Sequence, residues 1–558
     1  MSELIKSEYP RPEFKRENWV NLNGIWEFDY NVTEKENSQT TKKINVPFPP
    51  ESKMSGLEIS DVIIKNCIYK RVFNAYKRPN ERILLNFESV NYQAYVYING
   101  DFVGTHKGGY TPFCFDITDH CRDGENELKV YTEFDVTDKT VPSGKQSDQI
   151  ENYFVLYNRS SGIWQTVWLE YVPSVYIQSA AIETKMNGDV KFDFRFSVLP
   201  QSLDIEIKLK NKSIVKKSVP LQSNRACVQL NVKKPKLWSA KKPWLYDVVY
   251  TLKSENGCDS VKAYCGFRTI ELKNGEFYLN GKREFQNLVL DQGYYIDGIY
   301  TSKNDEETKR DILLAKKVGF NGARLHQKVF DRRFLYFADV LGFYVWGEYA
   351  SWGFNHTLDN AIDYYYPEWS EAVFRDFNHP SILVWCPLNE NWEIDGKRQN
   401  DEFVKALYQR TKALDATRPC IDVSWNYHVE TDIYDVHDYT QDVAEFEKKF
   451  GDFSNGIFDK YEQNYTGQPY MLSEYGGISF QSVDDSFSYG DTAVSEKEFV
   501  ARFVALIGIL KKNKRISGVC YTQLYDVCQE QNGIFKYDRT SKLSEKGLNA
   551  IRKANRKK

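Results

Sequence analysis

Two glutamates stand at the ends of two apolar segments. The segment LVWCPLNENWE at 383–393 starts apolar and then presents Asn389 and Glu390 side by side. The segment YMLSEYGG at 470–477 runs in the same way into Glu474. Short apolar runs of this kind are typical of buried strands in a parallel sheet. Both carboxylates are therefore predicted at the edge of such a sheet.

A pair of carboxyl groups suits the cleavage of a glycosidic bond. One group must carry a proton for the leaving group, and the other must be ionised to attack the sugar or to activate water. A gap of about 5–5.5 Å gives retention through a covalent intermediate, and a gap of about 6.5–9.5 Å gives inversion. The sequence alone leaves both outcomes open.

Residues 271–558 alternate between candidate strands and candidate helices. The helical segments include DEETKRDILLAKKVG, FVKALYQRTKALDA and EFVARFVALIGILKKN, which carry apolar residues at helical spacing. Eight strands joined mostly by helices predict a C-terminal (β/α)8 TIM barrel. The predicted strands are 285–291, 320–326, 342–348, 382–390, 419–425, 432–439, 469–475 and 516–524.

The C-terminal ends of barrel strands carry the active site in this fold. Acids, amides and aromatic residues converge there, which predicts a sugar site: carboxylates for chemistry, amides for hydroxyl groups and rings for sugar faces. Strands 4 and 7 lie on opposite sides of the ring, so Glu390 and Glu474 can face each other. The strand-end residues include Asp291, Arg324, His326, Glu348, Asn389, Glu390, Trp425, His437, Tyr439 and Glu474.

The first 270 residues read as short strands separated by polar turns. Residues 1–172 predict a β-sandwich or barrel, and residues 173–270 predict an immunoglobulin-like sandwich in architecture. A chain of 558 residues is long enough for three or four domains.

Composition and charge argue against some classes of function. The net charge is −3 and no long basic run precedes the terminal RKANRKK, so neither nucleic acid nor a membrane is an expected partner. The N-terminus shows no secretion signal and no apolar stretch approaches about 18 residues, which predicts a cytoplasmic protein without a membrane span. Ten scattered cysteines are predicted to be reduced core residues.

Six motifs spread over the chain form one set: NWVNLNGIWEFDY, RSSGIWQTVWLE, KLWSAKKPWLYDV, GFNGARLHQKVFDRRFLYFADVLGFYVWGE, NHPSILVWCPLNE and SEYGG. Together they resemble glycoside hydrolase family 2, which includes β-galactosidases, β-glucuronidases and β-mannosidases. The resemblance covers nearly the whole chain. It implies a jelly-roll sugar-binding β-sandwich at 1–172, an immunoglobulin-like β-sandwich at 173–270 and a TIM-barrel catalytic domain at 271–558.

The resemblance also implies roles for individual residues, because the family retains configuration. Glu390 would be the general acid/base and Glu474 the nucleophile. Asn389 would bind the sugar 2-hydroxyl, Tyr439 would hydrogen-bond the nucleophile, and Arg324 would support it.

Four further residues are assigned to substrate binding or its support. By the resemblance, Asp291, His326 and Glu348 hold sugar-contacting or supporting positions, while Trp425 can stack on a sugar. Each has a plainer interpretation beside this one. Asp291 can cap a turn, His326 can be a hydrogen-bonded core histidine, Glu348 can support another side chain, and Trp425 can simply pack.

Three departures from the family pattern bear on specificity. Leu388 replaces the glycine of W-x-x-G-N-E. The stretch YASWG lacks the Glu-x-His magnesium pair of the large β-galactosidases, so we expect no metal and no cofactor. The stretch QEQNGIFKYDR lacks the Asn-x-Lys pair of the β-glucuronidases, which favours another sugar.

The sequence therefore predicts a retaining exo-β-glycosidase acting on a carbohydrate β-glycoside, with β-galactosidase as the first choice. Glucuronide, mannoside, glucoside and arabinoside remain open. The rival hypotheses are an inverting or transferring enzyme and a non-catalytic carbohydrate-binding protein. Homo-oligomer formation stays open as well.

Overall fold

The chain forms two antiparallel β-sandwiches followed by a barrel of parallel strands. The computed structural model describes residues 5–31, 42–425, 427–459, 461, 463, 465–483 and 486–557. Among these residues, no helix combines the length and the apolar character needed to cross a bilayer.

The N-terminal sandwich packs a four-stranded sheet against a six-stranded sheet. Alternation along GIWEFDY buries Trp26 and Phe28 and leaves Ile25 63% exposed, as expected for a strand with one face in a core. The four-stranded sheet contains Trp19–Asn21, Val167–Pro173, Glu81–Phe87 and Phe113–Asp116. The six-stranded sheet contains Lys42–Val46, Gly24–Tyr30, Asn66–Ala75, Gly124–Glu133, Gln93–Ile98 and Asp101–Lys107, and a separate short pair joins Val90–Asn91 with Gly162–Ile163.

The second sandwich packs a three-stranded sheet against a four-stranded sheet. Its strand DVKFDFRF buries every second residue, including Phe192 and Phe194. The three-stranded sheet contains Ile177–Thr184, Asp189–Phe196 and Arg225–Asn231. The four-stranded sheet contains Lys212–Pro220, Ser202–Leu209, Tyr246–Ser254 and Gly257–Cys265.

A small antiparallel sheet closes the lower end of the barrel. Phe277 and Leu279 pack there in one buried cluster with Leu288 of the first barrel strand and Met471 of the seventh. The small sheet contains Ile270–Lys273, Glu276–Leu279 and Lys282–Arg283. A separate pair of short strands joins Trp238–Ser239 with Lys242–Pro243.

Eight parallel strands form the barrel; seven fall within the ranges that the sequence predicts, and the strand Tyr470–Gly476 extends one residue beyond the predicted 469–475. Their hydrogen-bonded order is β4-β3-β2-β1-β8-β7-β6, and β5 pairs with the continuation of β4 at Leu388–Asn389. The labels denote β1 Gln286–Asp291, β2 Gly322–Leu325, β3 Tyr344–Glu348, β4 Ile382–Cys386, β5 Val423–Ser424, β6 Tyr434–Asp438, β7 Tyr470–Gly476 and β8 Ile516–Thr522. The predicted TIM barrel is confirmed.

In the described part of the chain, seven α-helices connect or follow these strands, and polar side chains cap most of their N-termini. Asn304, Asn400 and Ser495, for example, each accept a hydrogen bond from a backbone N–H in the first turn. The helices are α1 Asp305–Lys317, α2 Arg332–Leu341, α3 Ala361–Asp376, α4 Asp401–Leu414, α5 Val443–Phe450, α6 Glu496–Lys512 and α7 Glu545–Arg556.

The cysteines form no disulfide, but they are not all core residues. Cys114, Cys227 and Cys258 are exposed because each lies at an outward-facing position of a sandwich strand. The prediction of core cysteines is wrong for these three.

Candidate active site

Glu390 and Glu474 face each other across the mouth of the barrel. Their nearest carboxylate oxygens lie within 4.8 Å of each other. Glu474 is 3% exposed, and the Glu390 side chain is 11% exposed. Oxygens this close are compatible with the separation of about 5–5.5 Å between carboxyl groups that lets one carboxylate attack a sugar directly.

The backbone at the end of β4 is unusual. Glu390 has a φ of +48°, a conformation that costs a non-glycine residue about 1–3 kcal/mol. Its N–H donates to the carbonyl oxygen of Ser424 at 3.0 Å, so the neighbouring β5 holds it in place. Such strain is common where a side chain must be aimed into a functional site.

Arg324 of β2 links Glu474 with Asn389. Its Nη1 donates to Glu474 Oε1 at 3.1 Å, and its Nη2 donates to Asn389 Oδ1 at 2.7 Å. Arg324 is fully buried, so these contacts fix both side chains. The Asn389 Nδ2 is also buried and has no hydrogen-bond partner among the described residues, which leaves this donor for a sugar hydroxyl.

Glu348 and His326 support Arg324 from behind. The Glu348 Oε2 accepts from Arg324 Nη2 at 2.8 Å, and its Oε1 lies 2.9 Å from His326 Nδ1. Burial opposes ionisation of Glu348, but the charges of Arg324 and His326 outweigh it and lower its pKa to about 2. Glu348 is therefore a permanent anion that anchors Arg324.

Tyr439 contacts the other oxygen of Glu474. Its hydroxyl donates to Glu474 Oε2. Its ring stacks on Tyr489 at a centroid distance of 3.9 Å and an interplanar angle of 14°. Arg324 holds one Glu474 oxygen and Tyr439 holds the other, so the carboxylate has a fixed orientation.

Asp291 and Trp425 have structural contacts of their own. Asp291 is 1% exposed, and its Oδ1 accepts from Gly293 N–H at 3.0 Å and from the Tyr525 hydroxyl at 2.7 Å. The Trp425 ring stacks on His437 at 5.7 Å and 9° and is 8% exposed. Asp291 therefore holds the loop after β1, and Trp425 holds a histidine of the site.

His437 lies between the carboxylates of Glu390 and Glu474, a placement that the sequence did not reveal. Its Nδ1 is 2.7 Å from Glu390 Oε1 and 3.6 Å from Glu474 Oε2. Its Nε2 is 3.0 Å from Ser424 Oγ. Its position two residues before Tyr439, on the same face of a strand, was the available signal, but a core histidine gives the same pattern.

The hydrogen-bond pattern assigns the proton between His437 and Glu390. The single proton of the Ser424 hydroxyl is assigned to its shortest contact, Asp435 Oδ2 at 2.8 Å, because a carboxylate oxygen can only accept; the contacts to His437 Nε2 and Ser473 Oγ are longer, at 3.0 and 3.1 Å. Arg324 Nη1 lies 3.5 Å from His437 Nε2, but its two protons go to the shorter bonds with the Ser473 carbonyl oxygen and Glu474 Oε1. The Ser424 oxygen then accepts from His437, whose proton therefore sits on Nε2. The Nδ1 carries a lone pair, so Glu390 supplies the proton of the 2.7 Å bond.

Burial makes Glu390 an acid at neutral pH. Burial raises the pKa of Glu390 to about 7, although the nearby His326, Lys145 and Arg324 oppose the rise. Burial also lowers the pKa of His437 to about 4, so its imidazole is neutral. Below about pH 7, a protonated carboxyl group thus faces Glu474 across the site.

The N-terminal sandwich contributes Lys145 to the wall of the site. Its Nζ lies 3.3 Å from Glu530 Oε2, and both side chains are buried. The Tyr157 hydroxyl also donates to Glu530, and Lys145 lies 5.3 Å from the centre of the Trp352 ring. The two ions are 385 residues apart, so no local motif could indicate the pair.

Comparisons with known proteins match the chain along most of its length. Models of "Glycosyl hydrolases family 2" match as the sugar binding domain at 43–173, the central domain at 171–268 and the TIM barrel domain at 270–544.

Curated relatives carry two activity names. A "Putative beta-glucuronidase" of Formosa agariphila is 26% identical over 85% of this chain and 58% of that protein. A "Beta-galactosidase" of Priestia megaterium is 27% identical over 75% of this chain and 41% of that protein. The chain thus spans about half the length of the curated relatives it matches.

Solved structures share the fold at low sequence identity. The β-D-glucuronidase of Dictyoglomus thermophilum has a TM-score of 0.81 at 20% identity and covers 99% of both chains. A β-galacturonidase of Eisenbergiella tayi has a TM-score of 0.76 at 20% identity and covers 99% of this chain and 98% of its own. These likenesses concern the fold.

Proposed function

Since this chain belongs to glycosyl hydrolase family 2, we propose that it is a retaining exo-β-glycosidase. It removes the terminal sugar from the non-reducing end of a β-glycoside. The observation that carries this proposal is the pair of carboxyl groups within 4.8 Å, of which Glu390 holds a proton and Glu474 is fixed by Arg324 and Tyr439.

The reaction runs in two displacements. Glu474 attacks the anomeric carbon while Glu390 gives its proton to the leaving oxygen, which forms a glycosyl ester and releases the alcohol. Glu390 then takes a proton from water, the water oxygen attacks the same carbon, and Glu474 leaves. The free Asn389 Nδ2 supplies a donor for a sugar hydroxyl.

The charges around the site favour a neutral sugar, and a β-galactoside is our first choice. Arg324 is occupied by Glu348 and Glu474, and Lys145 is neutralised by Glu530. A sugar carboxylate would compete with these anions. A β-glucuronide is the second candidate, because a curated relative and several structural neighbours are named glucuronidases.

Hydrolysis of aryl β-glycosides tests the proposal. The panel contains the galactoside, glucuronide, mannoside, glucoside and arabinoside, and it compares the wild type with Glu474→Gln. We expect one strong substrate, lost by orders of magnitude in the variant, and a first product with the β configuration by NMR. A first product with the α configuration would contradict retention, and a folded wild type that binds sugars but cleaves none would favour the non-catalytic rival.

A further inference from the structure

A groove between the second sandwich and the barrel collects unpaired positive charge. One wall is the outer face of the three-stranded sheet, and the other is formed by the C-terminal ends of α3 and α4. The described ionisable residues that line the groove are Glu183, Lys185, Lys191, Asp193, Arg195, Arg225, Arg268 and Asp415.

The carboxylates of this groove already have cations beside them, but its arginines have no carboxylate. The ion pairs are Glu183 with Lys185 at 3.8 Å, Asp193 with Lys191 at 2.8 Å and Asp415 with Arg418 at 2.6 Å. Within the described part of the chain, Arg195, Arg225 and Arg268 form no ion pair. The groove therefore presents arginines whose charge is not neutralised.

Two of these arginines lie directly opposite each other. The strands Asp189–Phe196 and Arg225–Asn231 pair in antiparallel fashion, and Arg195 is the register partner of Arg225. Both side chains are exposed. Like charges opposite each other on neighbouring strands destabilise a sheet. An anion bound beside this pair would offset the repulsion, so the arrangement favours a negatively charged ligand.

Arg268 adds a buried hydrogen-bond donor to the groove. It is 6% exposed, and its Nε and Nη2 donate to the carbonyl oxygens of Pro380 and Ile382 at 2.6 and 2.7 Å. Its Nη1 has no hydrogen-bond partner among the residues that the structure describes. Burial lowers the pKa of Arg268, and the charge of Arg418 lowers it further, so a nearby anion would stabilise this guanidinium.

The barrel wall adds an aromatic face beside these cations. Phe374 of α3 lines the groove and is 63% exposed. The opposite wall carries short side chains, including Ser179 and Ala181, which leave room beside this ring. An exposed aromatic ring can pack against the apolar face of a sugar, and arginine forks match carboxylates and similar oxyanions.

We propose that this groove binds an acidic saccharide chain, whose carboxylate or sulfate groups contact Arg195, Arg225 and Arg268. The site is separate from the catalytic pair, because Pro380 and Ile382 lie at the start of β4 and Glu390 follows its end. The exposed Phe374 ring favours a saccharide over an acidic peptide, and the chain belongs to a family of glycosyl hydrolases.

Alkylation of Cys227 tests the location of the ligand without any substitution. Cys227 is exposed and lines the groove, whereas Cys258 is exposed on the other sheet of the same sandwich. Peptide mass spectrometry measures the rate of iodoacetamide labelling with an oligogalacturonate, a sulfated dextran oligomer or a neutral dextran oligomer. We expect an acidic chain to slow labelling of Cys227 several-fold and to leave Cys258 unchanged. The two acidic chains distinguish carboxylate from sulfate.

A charge variant tests the role of the arginines. Arg195→Gln combined with Arg225→Gln should weaken binding of the acidic chain by roughly five- to thirtyfold, the effect of about two exposed ion pairs. The matched control combines Arg78→Gln with Arg122→Gln, which removes the same charge from exposed positions of the N-terminal sandwich and should bind like the wild type. Titration calorimetry measures the affinities, and hydrolysis of an aryl β-glycoside should be equal in all three proteins.

Several results would overturn this assignment. Equal protection of Cys227 by the neutral chain, or no protection by either acidic chain, would contradict the site. Equal weakening in both charge variants would show non-specific attraction. Tighter binding of an oligoglutamate would identify an acidic peptide instead, and a wild-type dimer that the groove variant dissociates would identify a contact between copies of this chain. A wild type that cleaves no glycoside but shows the Cys227 protection would contradict the proposed function and support this site.

Discussion

In the proposed mechanism, Glu390 sets the upper pH limit of the first chemical step. Burial raises the pKa of Glu390 to about 7, and only the protonated form can release the leaving group. We therefore expect the kcat/KM profile to have a basic limb: kcat/KM is constant below about pH 7 and falls about tenfold per pH unit above pH 7. A pH profile with a poor leaving group measures this limb, and Glu390→Gln should lack it. A limb near pH 4.5 would show that burial does not act as described.

His437 gives a second prediction. The direction in which its replacement shifts the pH profile depends on which ring nitrogen carries the proton. A lone pair on Nδ1 accepts the Glu390 proton and so favours the protonated acid. His437→Phe keeps a ring against Trp425 and removes that acceptor. We expect the basic limb of kcat/KM to move about 0.5–1 unit lower, the equivalent of one hydrogen bond.

The opposite shift would contradict the proton assignment. If His437 donated from Nδ1 to an ionised Glu390, its loss would raise the pKa of Glu390 and move the limb to higher pH. Ser424→Ala is the matched control, since it removes the oxygen that accepts from Nε2 and keeps the imidazole. That variant should shift the limb in the same direction as His437→Phe, by a smaller amount.

The turn after β7 helps to position Glu474, the proposed nucleophile. Gly477 has a φ of +60°, and a Cβ there would lie 2.7 Å from Tyr489 Cδ2 and 3.0 Å from Tyr439 Cδ1. Tyr439 donates to Glu474 and stacks on Tyr489. The second glycine of SEYGG therefore makes room for the tyrosine pair that fixes the Glu474 carboxylate.

Gly477→Ala should separate this packing effect from backbone strain. We expect kcat to fall by roughly tenfold to a hundredfold, because Tyr439 must move away from Glu474. Gly281→Ala is the control: its φ is +70°, and nothing lies within 4 Å of the added Cβ. That variant should lose only about 1 kcal/mol of unfolding free energy and keep its kcat. Equal kcat in both variants would rule out a role for the tyrosine stack.

Sequence reasoning worked best for single strands and the residues at their ends. The barrel strands were predictable because their apolar runs are local, and the positions of Glu390 and Glu474 at the barrel mouth were predictable because they end such runs. Leu388, which replaces the family glycine, is 1% exposed and pairs with Val423, so the short β4–β5 ladder accommodates it. The place of His437 was not predictable, since it depends on the register between β4, β5 and β6.

Across the whole molecule, the two domains complete one site. The N-terminal sandwich supplies Lys145, and the barrel supplies Glu390 and Glu474. The contribution of Lys145 does not follow from a spacing in the sequence, because a contact between distant segments depends on how the domains dock. The docking also uses buried ion pairs, such as Arg332 with Glu13 at 2.5 Å and with Glu88 at 2.7 Å.

The ion pair between Lys145 and Glu530 allows a test of this domain coupling. Both side chains are buried, so Lys145→Met leaves Glu530 without its cation and should lower the unfolding free energy by about 3 kcal/mol. The double variant with Glu530→Gln removes both charges and should recover most of that loss. Chemical denaturation of the wild type, both single variants and the double variant measures the coupling.

The same four proteins also test whether this ion pair affects the preference between a charged and a neutral sugar. Glu530→Gln leaves Lys145 as an unneutralised cation near Glu390, so we expect the ratio of kcat/KM for glucuronide over galactoside to rise by roughly tenfold. The double variant carries no cation there and should return toward the wild-type ratio. Additive stability losses would show that the pair does not couple the domains. A ratio that is unchanged in Glu530→Gln would show that sugar charge is selected elsewhere.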